Sequence, residues 1–213
     1  MTSVSVKKRI ALAVAAAAVL IAGWGVVSYA TGAPPFGGRG TIGAKDVCES
    51  LGDPEEAAGL LNRLLPDSSE YSFSDHLTAS PRTGHDTNFD TSCFINGDDG
   101  RLMSVRTELR AGETLDQWQT EVRENYDEPE RNVKAFDAGR RAFSGRRLAA
   151  INSACVPEDE IPFGPYRLST TVALQYTVPD DRVADLRRLA ELAAEKAHGD
   201  ARCAVAAEGG SAR

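Results

Sequence analysis

Between Ile10 and Ala30 the chain runs for about 21 residues without a charged side chain, close to what a helix needs to cross the hydrocarbon core of a bilayer. Lys7, Lys8 and Arg9 stand immediately before this run, and the next basic residue is Arg39. Basic residues flanking a first membrane segment stay in the cytoplasm. The asymmetry therefore predicts residues 1–9 in the cytoplasm, a single transmembrane helix over 10–30, and everything after Ala30 outside. Trp24 and Tyr29 fall where interfacial aromatic side chains belong. A cleaved signal peptide starts from the same features, and Ser28-Tyr29-Ala30 fits a small-x-small cleavage site. The apolar part of a signal peptide spans only about 7–15 residues. The uncleaved anchor is therefore the preferred reading, with a secreted protein as the alternative.

An exported chain meets an oxidising compartment, and this bears on its four cysteines, Cys48, Cys93, Cys155 and Cys203. All four follow the apolar run, and no two are spaced as in a CxxC zinc or redox motif. An even number of widely spread cysteines outside the cytoplasm reads as two structural disulfides. Three connectivities are open. Sequential pairing, Cys48 with Cys93 and Cys155 with Cys203, is the preferred one.

Charge narrows the partners. The whole chain carries −7 and its first nine residues carry +3, which leaves the exported part near −10. So acidic a surface argues against nucleic acid, whose binding needs basic patches, and against docking on anionic lipid headgroups.

After Ala30, residues 31–44 hold five glycines and two prolines, a composition that makes a flexible tether. From 45 to 205 the pattern is that of one folded domain. Asp53-Pro54-Glu55-Glu56 opens a helix, with Asp at the cap and Pro at the first helical position. Leu60, Leu61, Leu64 and Leu65 form its apolar face, and Pro66 ends it. Residues 67–90 are polar and turn-rich, and read as a long surface loop with a short strand near Tyr71–Phe73. Two strand-like runs, 91–95 and 102–109, flank the turn Asn96-Gly97-Asp98-Asp99-Gly100. In the second run Met103, Val105, Thr107 and Leu109 form the buried set. Thr114-Leu115-Asp116-Gln117 opens a second helix by a capping-box pattern, with Leu115, Trp118 and Val122 on one face. Short strands are expected at 142–143 and 148–155, a Pro-rich acidic loop at 157–165, and the best strand of the chain at 167–178. Asp180 then caps a last helix that ends at Gly199, and residues 206–213 form a disordered tail. This order predicts an α+β domain, an antiparallel sheet with helices packed on one side.

The arrangement resembles a class of actinobacterial exported domains that follow a lipobox or membrane helix and a tether. The residues that carry the resemblance are Asp46-Val47-Cys48-Glu49-Ser50-Leu51, a cysteine just ahead of a Leu-rich helix, and Ser92-Cys93-Phe94-Ile95, a second cysteine on a strand. The resemblance covers about residues 45–205. It implies a PsbP/Mog1-like α+β sandwich and carries no catalytic residue across. The chain differs from the lipoprotein members in lacking a lipidation cysteine.

The search for chemistry returns no catalytic, cofactor-binding or metal-ligating set. His76 and His85 share the 67–90 loop with Asp75 and Asp86, which makes that loop the place for a site if there is one, but a metal needs preset geometry. His198 suits the C-terminal end of the last helix, where an imidazole complements the dipole. Asp98-Asp99 lacks the alternating acids and distal Glu of a calcium loop. No Gly-x-Ser-x-Gly elbow, phosphate loop or dinucleotide fingerprint is present. Arg140-Arg141 and Arg146-Arg147 form a small basic cluster that suits an anionic polymer or an acidic partner face, unless acids such as Glu158 and Asp159 neutralise it. The expectation is a non-enzymatic binding or interaction module of the cell envelope, with an envelope protein or polymer as partner and no cofactor. The alternative is a secreted hydrolase using the 67–90 loop.

Overall fold

The computed structural model of the chain describes residues 38–79, 88–156 and 166–204. The segment 10–30, residues 31–37 of the tether, His85 and Asp86, the 157–165 loop with Glu158 and Asp159, and the tail lie outside the described residues. Among the described residues no helix is long and apolar enough to cross a membrane.

Helix α1, Pro54–Leu64, begins as its sequence dictates. The Asp53 carboxylate accepts hydrogen bonds from the backbone N–H groups of Glu55 and Glu56 at 3.0 and 2.8 Å, which satisfies two donors that a helix start leaves unpaired. The folded unit begins before Lys45: Ile42 is buried, and its backbone exchanges hydrogen bonds with the Asn62 side chain at 3.1 and 2.8 Å. Helix α2, Leu115–Asn125, carries the expected capping box, with Thr114 and Gln117 bonding each other's backbone. Helix α3, Val183–Asp200, departs from expectation at its start. Asp180 opens a 3-10 turn, Asp180–Arg182, and no side chain caps the helix that follows.

Among the described residues seven strands form one antiparallel sheet: β1 Ser72–Ala79, β2 Phe89–Gly97, β3 Gly100–Ala111, β4 Lys134–Phe136, β5 Arg141–Ser144, β6 Leu148–Val156 and β7 Tyr166–Leu174. Their order is β1-β2-β3-β7-β6-β5-β4. The strand with the strongest sequence signal, β7, takes the central place between β3 and β6. Ten of the sixteen described residues of the expected 67–90 loop are strand, Ser72–Ala79 and the first two residues of β2. Ser72–Ala79 pairs along its whole length with β2, from Ser72 opposite Asn96 to Ala79 opposite Phe89. Its polar composition hid it, because an edge strand leaves much of its surface to solvent.

The sheet is covered on two faces, not one. On the first face Cys93, Ile95, Met103, Val105, Ile151, Val172 and Leu174 pack in one core with α1 and α3. On the second face α2 docks through Trp118 and Val122 onto Phe143, Leu148, Ala150 and Ala173. Trp118 is fully buried. Its indole Nε1 donates to Ser169 Oγ at 2.8 Å, and its ring meets Phe143 edge-on at 5.4 Å. The one-sided expectation fails because β6 is apolar at consecutive positions: Ala149 and Ile151 face α3 while Leu148 and Ala150 face α2, as a strand buried on both faces requires.

Two disulfides join these layers. Cys48, ahead of the 3-10 turn Glu49–Leu51, is bonded to Cys93 in β2, and Cys155 in β6 is bonded to Cys203 just beyond α3. Gly52 makes room for the first junction. It has φ +84°, and a Cβ there would sit 3.0 Å from the Leu192 carbonyl oxygen of α3.

Candidate functional site

Because α2 lies over β5, β6 and β7, the part of the second face formed by β1, β2 and β3 is less covered. Antiparallel register places Ser74 beside Phe94 and Ser104, and His76 beside Ser92 and Arg106. Phe94 is half-buried. The Arg101 guanidinium lies 4.1 Å from its ring centroid, and the His76 ring approaches it edge-on at 6.4 Å. A guanidinium over an aromatic face is a favourable pairing. Among the described residues Arg101 has no carboxylate partner, so its charge faces outward. Towards the other end of these strands the face becomes a ladder of charge. Arg106 binds Asp90 at 2.9 Å and Glu108 at 3.0 Å, and Arg110 binds Glu113 at 2.9 Å and Glu121 at 2.6 Å. The hydrogen bond to Asp90 holds the Arg106 guanidinium even more firmly protonated than usual. Burial pushes the Glu113 carboxyl and the Tyr126 phenol above their ordinary values.

A second feature lies beside the β5–β6 turn. There a cleft of about 380 Å³ is lined by Glu128, Asn132, Arg146, Arg147, Thr177 and Asp180, among others. Glu128 is 6% exposed, and Arg147 Nε is buried without a hydrogen-bond partner. Of the arginines singled out in the sequence, Arg146 and Arg147 line this cleft and Arg141 turns to α2. Arg141 bonds Asp116 of α2 and reaches Gln119 Oε1 at 3.4 Å. Arg146 Nε donates to the Val178 carbonyl at 2.6 Å and lies 3.4 Å from Asp180. Neither the buried glutamate nor the cleft was legible in the sequence.

Of the side chains that a hydrolytic site in the 67–90 segment would draw on, His85 and Asp86 lie outside the described residues, and the structure separates Asp75 from His76. Asp75 and His76 are neighbours on a strand and so point to opposite faces. Asp75 accepts from Ser50 N and Ser50 Oγ at 3.3 and 2.7 Å, while His76 lies against Phe94. Asp98 belongs to the β2–β3 turn, where it accepts from Ser69 N and Ser69 Oγ at 2.7 and 2.8 Å. The Ser69 N–H is the main cause of its lowered carboxyl pKa. His198 sits in the last turn of α3, with Nε2 buried and unpaired. Among the described residues no group of three or more His, Cys, Asp and Glu side chains is placed to hold a metal ion.

No protein-family model, curated protein or solved structure matches the chain.

Proposed function

We propose that the chain is a binding or interaction module of the cell envelope, non-enzymatic and held on the outer side of the membrane by the 10–30 segment. A secreted form is the alternative if that segment is cleaved. The reading rests on one observation above the rest. The second face of the sheet carries an outward-facing aromatic and cationic spot, Phe94 with Arg101 and His76, on the half that α2 does not cover. In a chain of net charge −7 such a spot suits an envelope protein or polymer that presents anionic groups. The two disulfides support an oxidising compartment, and the tether supports display away from the bilayer. An envelope partner follows from display outside the membrane, and the sequence-level resemblance to exported actinobacterial domains is retained with it.

The test is site-directed photo-crosslinking in intact cells. A crosslinker at Ser74 or Ser104 is expected to capture an envelope component, and Phe94→Glu together with Arg101→Glu is expected to abolish capture while export and disulfide formation remain normal. Equal capture from Ser74 and from Glu55 on the distant α1, insensitive to both substitutions, would overturn the proposal.

A further inference from the structure

The cleft beside the β5–β6 turn holds two opposite charges that do not meet. Glu128 owes its position to the way α2 ends. Asp127 takes a left-handed conformation, φ 51°. Its N–H bonds the Glu124 carbonyl at 3.2 Å, and the Glu128 N–H bonds the Arg123 carbonyl at 2.9 Å. These are the two hydrogen bonds of a Schellman ending, in which the residue at the Glu128 position is frequently apolar and packs back on the helix. Here it is a glutamate at 6% exposure. Gly145 leaves space for it: a Cβ at Gly145 would lie 3.1 Å from Glu128 Oε1. Among the described residues the Glu128 carboxylate has no hydrogen-bond or ion-pair partner.

Arg147 supplies the opposite charge. Its Nε is buried without an acceptor, and among the described residues its guanidinium forms no ion pair. Both side chains line the same cleft. Arg146 does not relieve either, since its Nε is occupied by the Val178 carbonyl. The remaining carboxylates of the cleft, Asp127 and Asp180, are exposed, and Asp180 lies 3.4 Å from Arg146. Glu128 is 6% exposed and unpaired, Arg147 Nε is buried without an acceptor, and one ligand bearing both signs would pair both side chains at once. A simple anion would meet Glu128, and a simple cation would meet Arg147. We infer that the cleft binds a small zwitterion with a primary ammonium and a carboxylate, the ammonium on Glu128 and the carboxylate on Arg147. The cleft volume, about 380 Å³, lies within the range of small-molecule sites. This site is separate from the sheet face proposed above, and either assignment stands if the other fails.

The experiment titrates the purified full-length chain with glycine, β-alanine and 4-aminobutanoate, which space the two charges progressively further apart. Acetate and ethylammonium are the single-charge controls, and calorimetry and amide chemical shifts are the readouts. Saturable binding of at least one zwitterion is expected, about tenfold or more tighter than either control. Glu128→Gln and Arg147→Gln are each expected to weaken it by about tenfold or more, and Gly145→Ala to weaken it by displacing the carboxylate. If Glu128→Gln unfolds the protein, Arg147→Gln and Arg147→Lys carry the test. Absence of saturation by all three zwitterions, or equal binding of acetate or ethylammonium, overturns the inference. So does unchanged affinity in folded Arg147→Gln.

Discussion

The docking of α2 on the second face makes Trp118 and Ser169 a sensitive pair to perturb. No disulfide holds α2, so its position depends on packing and on this hydrogen bond. Ser169→Ala leaves a fully buried indole N–H without an acceptor, at a cost of about 1–3 kcal/mol. Trp118→Phe keeps most of the ring volume but strands the Ser169 hydroxyl, which is 3% exposed, again at about 1–3 kcal/mol. Trp118→Ala removes the ring contact with Phe143 as well and is expected to cost about 3–5 kcal/mol. In a double-mutant cycle the Trp118→Phe, Ser169→Ala protein should be less destabilised than the sum of its parents, by about 1 kcal/mol or more. The assay is urea unfolding followed by far-UV circular dichroism with disulfides intact, and a midpoint change at constant slope reports stability. Additivity within about 0.3 kcal/mol, together with a Trp118→Ala cost below about 1 kcal/mol, would refute the placement of α2 against the sheet.

Three further outcomes follow from the same geometry. Replacing Cys48 and Cys93 together by alanine opens a loop with a sequence separation of 45 and should cost about 4 kcal/mol by the chain-entropy model, read as a lowered urea midpoint against the wild type. Asp127→Gly should stabilise by about 0.5–1 kcal/mol, since glycine takes the left-handed conformation without the penalty that asparaginyl and aspartyl residues only partly escape; a loss of stability in the same assay counts against the Schellman ending. Asp185, on α3, accepts from Arg63 of α1, and that hydrogen bond holds its carboxyl below the ordinary value. Its contribution is therefore present above the unfolded-state value, about pH 4, and fades as pH falls through the lower folded-state value. Asp185→Asn should cost less than about 1 kcal/mol near pH 7, because Arg63 is largely exposed. That difference should vanish near pH 2, and a difference that persists there contradicts the ion pair.

What was legible in the sequence depended on how local each signal is. The ends of α1 and α2 were readable because Asp53 and Thr114 act on backbone groups two or three residues away. The β2–β3 hairpin and the buried Met103, Val105 and Thr107 were readable because alternation and turn chemistry are short-range, while Leu109 of the same expected set is only half-buried. The sequential disulfides agree with the preferred pairing. The second layer was misread although a signal was present: Leu148-Ala149-Ala150-Ile151 has no alternation, as expected of a strand covered on both faces. β1 was read as loop apart from a short strand near Tyr71–Phe73, because Ser72–Ala79 gains its structure from its partner β2 rather than from its own composition. β4, three residues long at the other edge, offered too little pattern to detect. The candidate surfaces were the least legible. Phe94, Arg101 and His76 come together through strand register, and Glu128 and Arg147 through the end of one helix and a distant turn.

The central claim is a disulfide-bonded domain displayed outside the cell on its own N-terminal segment. The most direct measurement is the intact mass of the native protein in membrane and medium fractions, before and after reduction. The account predicts a full-length mass in the membrane fraction that rises on reduction by the hydrogens of two disulfides. A mass beginning near Thr31 in the medium would replace the anchor with secretion. A full-length protein with free thiols in the cytosolic fraction would contradict the claim outright.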